Sequence, residues 1–285
     1  MNIIHGYRND RGLRDSFNAL AEQPFGLNFE GWYQNGFWGD CYDPHSIVLD
    51  GRVVANVSVN RTDFVMAGRR YRILQLGTVM TDPDYRGRGL SRAIMEFIGR
   101  EYADVDGWYL FGNDSLVDFY PKFGFWPGRE MAYRKSVNRS GDSSAEQVIM
   151  DGPAGWARLA AAMEKSTFRE GLPMVENPGL IFFYVSQFMQ EAVWHIPALD
   201  AWVIAEPEDG VLTLHNSFAD SAVTIDDVAA AFGNVHEIRL GFAPADPEGW
   251  EISALQEEDC HFFVRGAFFG EFERRQLRIP SLSHA

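Results

Sequence analysis

The run from Val79 to Ile94, VMTDPDYRGRGLSRAI, limits what this chain can fold into more than any other stretch. Leu74, Leu76 and Val79 read as a buried strand. Asp82-Pro83-Asp84 turns the chain, and Gly87 and Gly89 follow, bracketed by Arg86 and Arg88. Leu90, Ala93, Ile94, Phe97 and Ile98 then recur at the spacing of one buried helical face. Strand, glycine turn and helix together suit phosphate binding. Glycines remove the Cβ atoms that would keep a ligand off the backbone, free N–H groups converge, and the helix dipole adds positive potential. Arg86, Arg88 and Arg92 raise it further, so a pyrophosphate is the natural guest. The stretch is not a P-loop, because no Lys-Ser/Thr pair follows the glycines, and it lacks the third glycine of a dinucleotide fingerprint. On the glycines alone, an ordinary strand–helix connection with a solvated basic rim fits as well.

The longer pattern separates these readings. Pro83, Tyr85 and Arg86-x-x-Gly89-x-Ser91 resemble the acyl-CoA-binding motif of the GNAT superfamily of N-acyltransferases, whose core is Arg/Gln-x-x-Gly-x-Gly/Ala after a strand. Ser91 departs from the usual small apolar residue but is small enough for the backbone to approach a phosphate, and its hydroxyl could donate to one. Asn113-Asp-Ser-Leu-Val-Asp-Phe-Tyr120-Pro-Lys-Phe-Gly124-Phe125, after a strand at Trp108 to Phe111, is similar to the family's Asn…Tyr…Gly-Phe segment. The likeness is tightest from Leu76 to Phe125 and extends over about the first 135 residues.

The resemblance implies an α/β fold with a mixed sheet and direct transfer of an acyl group, usually acetyl, from CoA to a primary amine of a small molecule or peptide. Proximity of two aligned substrates would supply most of the rate. It also implies roles. Val79, Met80 and Thr81 would pair with the pantetheine arm and provide an oxyanion-binding N–H. Arg86, Gly87, Arg88, Gly89, Leu90, Ser91 and Arg92 would hold the pyrophosphate. Asn113 would bond the cofactor near its pantetheine, and Tyr120 would protonate the departing thiolate. On the residues alone, Tyr120 fits equally as a packing residue beside Phe119 and Phe123. No general base stands out. Gln75 occupies the strand position where related enzymes sometimes carry glutamate, which leaves Asp40, Asp43, His45, a water chain or the carboxylate of Ala285. A non-catalytic acyl-CoA-binding or sensor module, whose acidic half recognises a partner, is the alternative from another class. Such a module has no need of Tyr120.

Composition narrows the setting. The net charge is −15, but residues 1–140 hold 17 basic and 17 acidic residues of totals of 25 and 40, so residues 141–285 carry 8 and 23. This asymmetry argues for two units and against a nucleic-acid partner. It would favour a cationic acceptor if the acidic half faced the site, and otherwise serves solubility. The longest apolar run, Leu180 to Val185, is far short of the roughly 18 residues of a membrane span, and no signal-type segment opens the sequence. Two cysteines, Cys41 and Cys260, form no disulfide framework, and the setting expected is cytoplasmic. No metal is expected, because the seven histidines show no ligand spacing. The oligomeric state is not legible.

Taken in order, the chain reads as a strand and helix over 1–22, an aromatic stretch over 24–39 that suits an acceptor wall or core equally, and a hairpin turned at Asp50-Gly51. A strand from Tyr71 leads into the glycine turn. Ser115 and Asp118 suggest a capped helix, and Phe125 to Lys135 a closing hairpin. The domains expected are 1–136, a Ser/Gly-rich linker over 137–146, and a smaller acidic α/β domain over 147–285. That second domain reads as a degenerate GNAT-like repeat, as in two-domain bacterial members, and it has no glycine-arginine loop for CoA.

Overall fold

The computed structural model describes residues 2–139, 141 and 143–284. The first half contains β1 (Ile3–Ile4), α1 (Arg11–Phe25), α2 (Glu30–Gln34), β2 (Tyr42–Leu49), β3 (Arg52–Arg61), a small hairpin of β4 (Phe64–Met66) and β5 (Arg69–Tyr71), β6 (Ile73–Thr81), α3 (Leu90–Glu101), β7 (Gly107–Gly112), β8 (Trp126–Pro127) and β9 (Met131–Arg139). The second contains β10 (Glu146–Gln147), α4 (Pro153–Lys165), α5 (Pro178–Gln187), β11 (Val193–Ile196), β12 (Ala201–Glu208), β13 (Val211–Phe218), α6 (Ile225–Ala230), β14 (Val235–Leu240), β15 (Glu251–Ala254), β16 (His261–Arg265) and α7 (Phe268–Arg274). Local chemistry explains many boundaries. The Asp10 side chain accepts the Leu13 N–H to start α1, and Gly26, in the left-handed region, ends it. Asp50 and Gly51 both take positive φ, as a tight hairpin requires.

Two seven-stranded mixed sheets result. One runs β1-β2-β3-β6-β7-β16-β8 and the other β10-β11-β12-β13-β14-β9-β15. Each contains one parallel pair, β6 with β7 and β13 with β14, bridged by α3 and α6 respectively. In each sheet the strand beyond the parallel pair comes from the other half of the chain. Thus β16 pairs β7 (Phe263↔Leu110), and β9 pairs β14 (Lys135↔Ile238).

This exchange corrects two expectations. Phe125 to Lys135 do not form a hairpin, because β8 joins β16 and β9 joins β14. The boundary at 136–137 also does not separate the sheets, since β9 runs through it. The cause is burial: Tyr109, Phe262 and Val264 from one sheet share a core with Val203, Leu212 and Ile238 from the other. The helix expected from Ser115 is two 3-10 turns, Asp114–Leu116 and Tyr120–Phe123. Asn113 rather than Ser115 is the cap, Pro121 removes an N–H, and Gly124 closes the second turn at φ 81°.

Candidate functional site

The parallel strands β6 and β7 pair only from Ile73↔Gly107 to Gln75↔Tyr109. Beyond that point β6 stays with β3, while β7 turns to β16, and a wedge opens between them. A bulge on β6 accompanies the parting. The β3–β6 register slips between Asn56 and Ser58, and Thr78 sits at φ 47°, a conformation costly for a β-branched residue. The Asp82 N–H donates to the Val54 carbonyl at 2.9 Å. Strand alternation therefore turns the N–H groups of Val79 and Thr81 away from β3 into the wedge and that of Met80 toward β3. Of these three residues, two thus offer a donor to the wedge, and the Met80 side chain is buried in the core under α1.

The glycine turn closes the outer end of β6. The Asp82 side chain accepts the Asp84 N–H, and a 3-10 turn, Pro83–Tyr85, leads into Gly87 and Gly89, both at φ 73°. An added Cβ at either glycine would meet nothing within 4 Å, so conformation and not crowding demands glycine here. Gly89 caps α3, whose Leu90, Ile94 and Ile98 are buried. The backbone N–H groups of Gly87 to Arg92 donate to no described residue, which leaves a cluster of donors facing outward at a helix N-terminus. Arg86, Arg88 and Arg92 are exposed around it. Arg88 donates to the Asp84 carbonyl at 2.8 Å with its guanidinium over the Tyr85 ring, and Arg92 lies near Glu96. The Ser91 hydroxyl is bonded to Thr81 Oγ1 at 2.7 Å, where it ties the helix to β6.

Asn113 is exposed at the end of β7. Its Oδ1 accepts from the backbone and side chain of Ser115, and its amide nitrogen donates to no described residue. Tyr120 is 1% exposed. Its ring lies between Phe263, Phe125 and Phe119 and presses so closely on Gly112 of β7 that a Cβ there would stand 2.8 Å from it. Its hydroxyl has no described hydrogen-bond partner, and burial pushes it up to about 12. The side chain is thus a packing element of the α3 core whose phenol stays protonated.

On the other face of β6, a cavity of about 220 Å³ opens beside Gln75, Gly77 and Thr78. The aromatic stretch supplies Phe25, Phe29 and Trp32 to its wall, and α5 supplies Leu180, Phe183 and Tyr184. Its polar groups were missed in the sequence. Tyr42 Oη and Thr78 Oγ1 are 2.6 Å apart, and Thr78 Oγ1 donates on to Ser58 at 3.0 Å. Gly77 inside a strand pattern was the one signal for the bulge that assembles them. No carboxylate or imidazole lines this cavity among the described residues. Gln75 accepts from Asn60 at 3.1 Å. Asp40 pairs with Arg8, and Asp43 with His5. His45 stacks on His5 and bonds the Asp43 carbonyl and the Tyr102 hydroxyl on the α3 side. His5, Asp43 and His45 bring possible metal-ligand atoms within 4.8 Å of one another, but both nitrogens of His45 are engaged and its plane is parallel to that of His5. The Ala285 carboxylate lies outside the described residues.

Comparison with known proteins agrees with this geometry. Residues 14–128 match the family model described as the acetyltransferase (GNAT) domain. A probable N-acyltransferase of unknown function from Enterococcus faecalis superposes with TM-score 0.57 at 14% identity, over 95% of this chain and 74% of that one. A GCN5-related N-acetyltransferase from Kribbella flavida gives 0.53 at 18% identity, over 93% and 72%. Eis1 from Mycobacterium abscessus gives 0.52 at 15%, over 92% and 73%. At these identities the likeness is one of fold.

Proposed function

We propose, on the match of residues 14–128 to the acetyltransferase (GNAT) domain, that the chain is an acetyl-CoA-dependent N-acetyltransferase acting on a primary amine with an apolar or aromatic substituent. The observation that carries the reading is the alignment of three features along β6: unpaired N–H donors at Gly87 to Arg92, a wedge bounded by Val79 and Thr81 N–H groups, and an apolar cavity at Gln75 to Thr78. Gly87 to Arg92 bind the pyrophosphate through backbone donors, with Arg86, Arg88 and Arg92 as counter-charge. Val79 and Thr81 accept the pantetheine arm as an added strand would and offer a donor for the carbonyl oxygen that gains charge during transfer. Asn113 has its amide nitrogen free to bond the same arm.

Tyr120 holds its proton throughout the neutral range, and in this reading it donates that proton to the leaving thiolate. Phe29, Trp32 and Phe183 seat the acceptor's substituent, and the Tyr42–Thr78–Ser58 hydroxyl chain orients its nitrogen. A cavity whose described lining holds no carboxylate gives little holding power to a polycation, so in this reading the second half meets the acceptor through the apolar residues of α5 and not through its acidic ones. One observation favours the alternative, a non-catalytic acyl-CoA-binding module: no carboxylate or imidazole lines the cavity among the described residues. Thiol release from acetyl-CoA over a panel of aryl, aralkyl and polyamine acceptors tests both. Release with apolar amines supports the transferase. Binding of acetyl-CoA without release on any acceptor supports the module.

A further inference from the structure

The second sheet repeats the first at the point where a ligand would sit. Its parallel strands β13 and β14 pair from Val211↔Glu237 to Leu214↔Leu240, and β13 then runs on to Phe218 away from β14. As in the first sheet, a register slip against the preceding strand accompanies this, here between Ile204 and Ala205. The wedge itself is filled by the chain. The Ser281 N–H donates to the Gly241 carbonyl, and Ser281 Oγ lies 2.8 Å from His215 Nδ1. Residues 219–224, which connect β13 to α6, contain no glycine. Nothing of the CoA side survives.

Space remains beside the filled wedge. A cavity of about 520 Å³ lies against Asn216, Ser217 and Phe218, under α4 and α5. It shares no lining residue with the Gly77–Thr78 cavity of the first sheet. Its size is ordinary for a small-molecule site. Its walls are apolar and soft, with Met163, Met174, Phe168 and Phe182 among them, and its charged lining residues are all carboxylates: Glu164, Glu170 and Glu176. Glu176 is already paired with Arg70, which leaves Glu164 at the rim and Glu170 within. Two further facts point to a missing partner. Ser217 is 1% exposed and its hydroxyl has no hydrogen bond, an arrangement that costs about 1–3 kcal/mol unless something satisfies it. Glu170 has an Asn216 side-chain bond but no cation, and burial pushes its carboxyl up to about 8.

We propose that this cavity is a second binding site, separate from the transferase centre, for a small organic ammonium ion with an apolar body. The body packs on Met163, Phe168 and Phe182, the ammonium faces Glu170 and the aromatic faces, and Ser217 completes the polar end. A cation facing Glu170 favours the ionised carboxylate, displaces its proton and gains from the aromatic faces, whereas a neutral ligand leaves the carboxyl protonated and gains neither. The proposal does not depend on acetyl transfer, because the acceptor cavity and this one lie on opposite faces of α5: Leu180 and Phe183 face the first, Ile181 and Phe182 the second.

The test is calorimetric titration of the full-length protein with benzyltrimethylammonium, which has no N–H and cannot be an acetyl acceptor. Its uncharged carbon isostere serves as control. The expected result is saturable binding of the ammonium, at least tenfold weaker binding of the isostere, and a loss of tenfold or more in Glu170→Gln. Should Glu170→Gln fail to fold, Glu164→Lys places a positive charge at the exposed rim and is expected to weaken binding by several-fold. Phe29→Ala, in the other cavity, is expected to leave the ammonium affinity unchanged. Absence of binding, equal affinity for the isostere, or binding lost in Phe29→Ala and retained in the glutamate variants would overturn the proposal.

Discussion

At the scale of single residues, the proposed chemistry rests on Tyr120 and the two turn glycines. Tyr120 is held by Phe263, Phe125 and the bare Cα of Gly112, so Tyr120→Phe keeps the packing and loses only the hydroxyl. In the proposed role, turnover falls about 10²- to 10⁴-fold while acetyl-CoA affinity stays within about twofold, read by steady-state kinetics beside direct titration. Its raised value gives the pH signature: a proton held up to about 12 produces no loss of activity from this group between neutrality and pH 10. A descending limb near pH 8 that vanishes in Tyr120→Phe would refute that. Gly89 is read differently, because the space around it is open and its φ of 73° is the constraint. Gly89→Ala costs about 1–2 kcal/mol in the left-handed region, and relief of that strain moves the N–H cluster. A Tm lower by a few degrees and at least tenfold weaker acetyl-CoA binding are expected. Both glycines were legible in the sequence because glycine's special backbone freedom leaves a mark on composition. Thr78 was not. A β-branched residue at positive φ is held there by the bulge and by its bonds with Tyr42 and Ser58, and those are tertiary facts.

At the scale of elements, β6 is the spine of the proposed site: the glycine turn at its end, the wedge along one edge, the cavity on one face. Its apolar run and the helix after it were plain from periodicity. The segment after β7 was misread as a helix, since Ser115 and Asp118 fit a capping pattern that Asn113 pre-empts by accepting the Ser115 N–H itself. The absence of a described carboxylate or imidazole in the cavity carries a kinetic consequence. If no enzyme group takes the proton, the acceptor reacts as the free amine. At pH 7, kcat/KM is then expected to be larger for apolar amines of low basicity than for alkylamines, and for each alkylamine to rise tenfold per pH unit up to the amine's own pKa. A profile with a common pKa near 6–7 for every acceptor would instead reveal an enzyme base.

At the scale of the whole molecule, each sheet takes one strand, next to its outer edge, from the other half. The charge asymmetry and the polar stretch at 136–146 suggest two consecutive units, whereas each sheet draws strands from both halves of the chain. The exchange of β9 and β16 could not be read, because a strand's own sequence does not name the edge it will join, and Tyr133 or Phe263 is apolar enough for either sheet. The halves should therefore not fold alone. A fragment of residues 1–146 lacks β16 and leaves β7 with an open edge, so it is expected to aggregate or stay unfolded by circular dichroism, and co-expression with 147–285 to restore a soluble acetyl-CoA-binding complex. An independently folded 1–146 would contradict the shared core. The most direct test of the proposed function is calorimetric titration of the full-length protein with acetyl-CoA, repeated with Gly89→Ala. Micromolar, one-to-one binding that weakens at least tenfold in the variant is the expected result. No binding by the wild type, or equal binding by both, would contradict the assignment of the Gly87–Arg92 turn as the phosphate site.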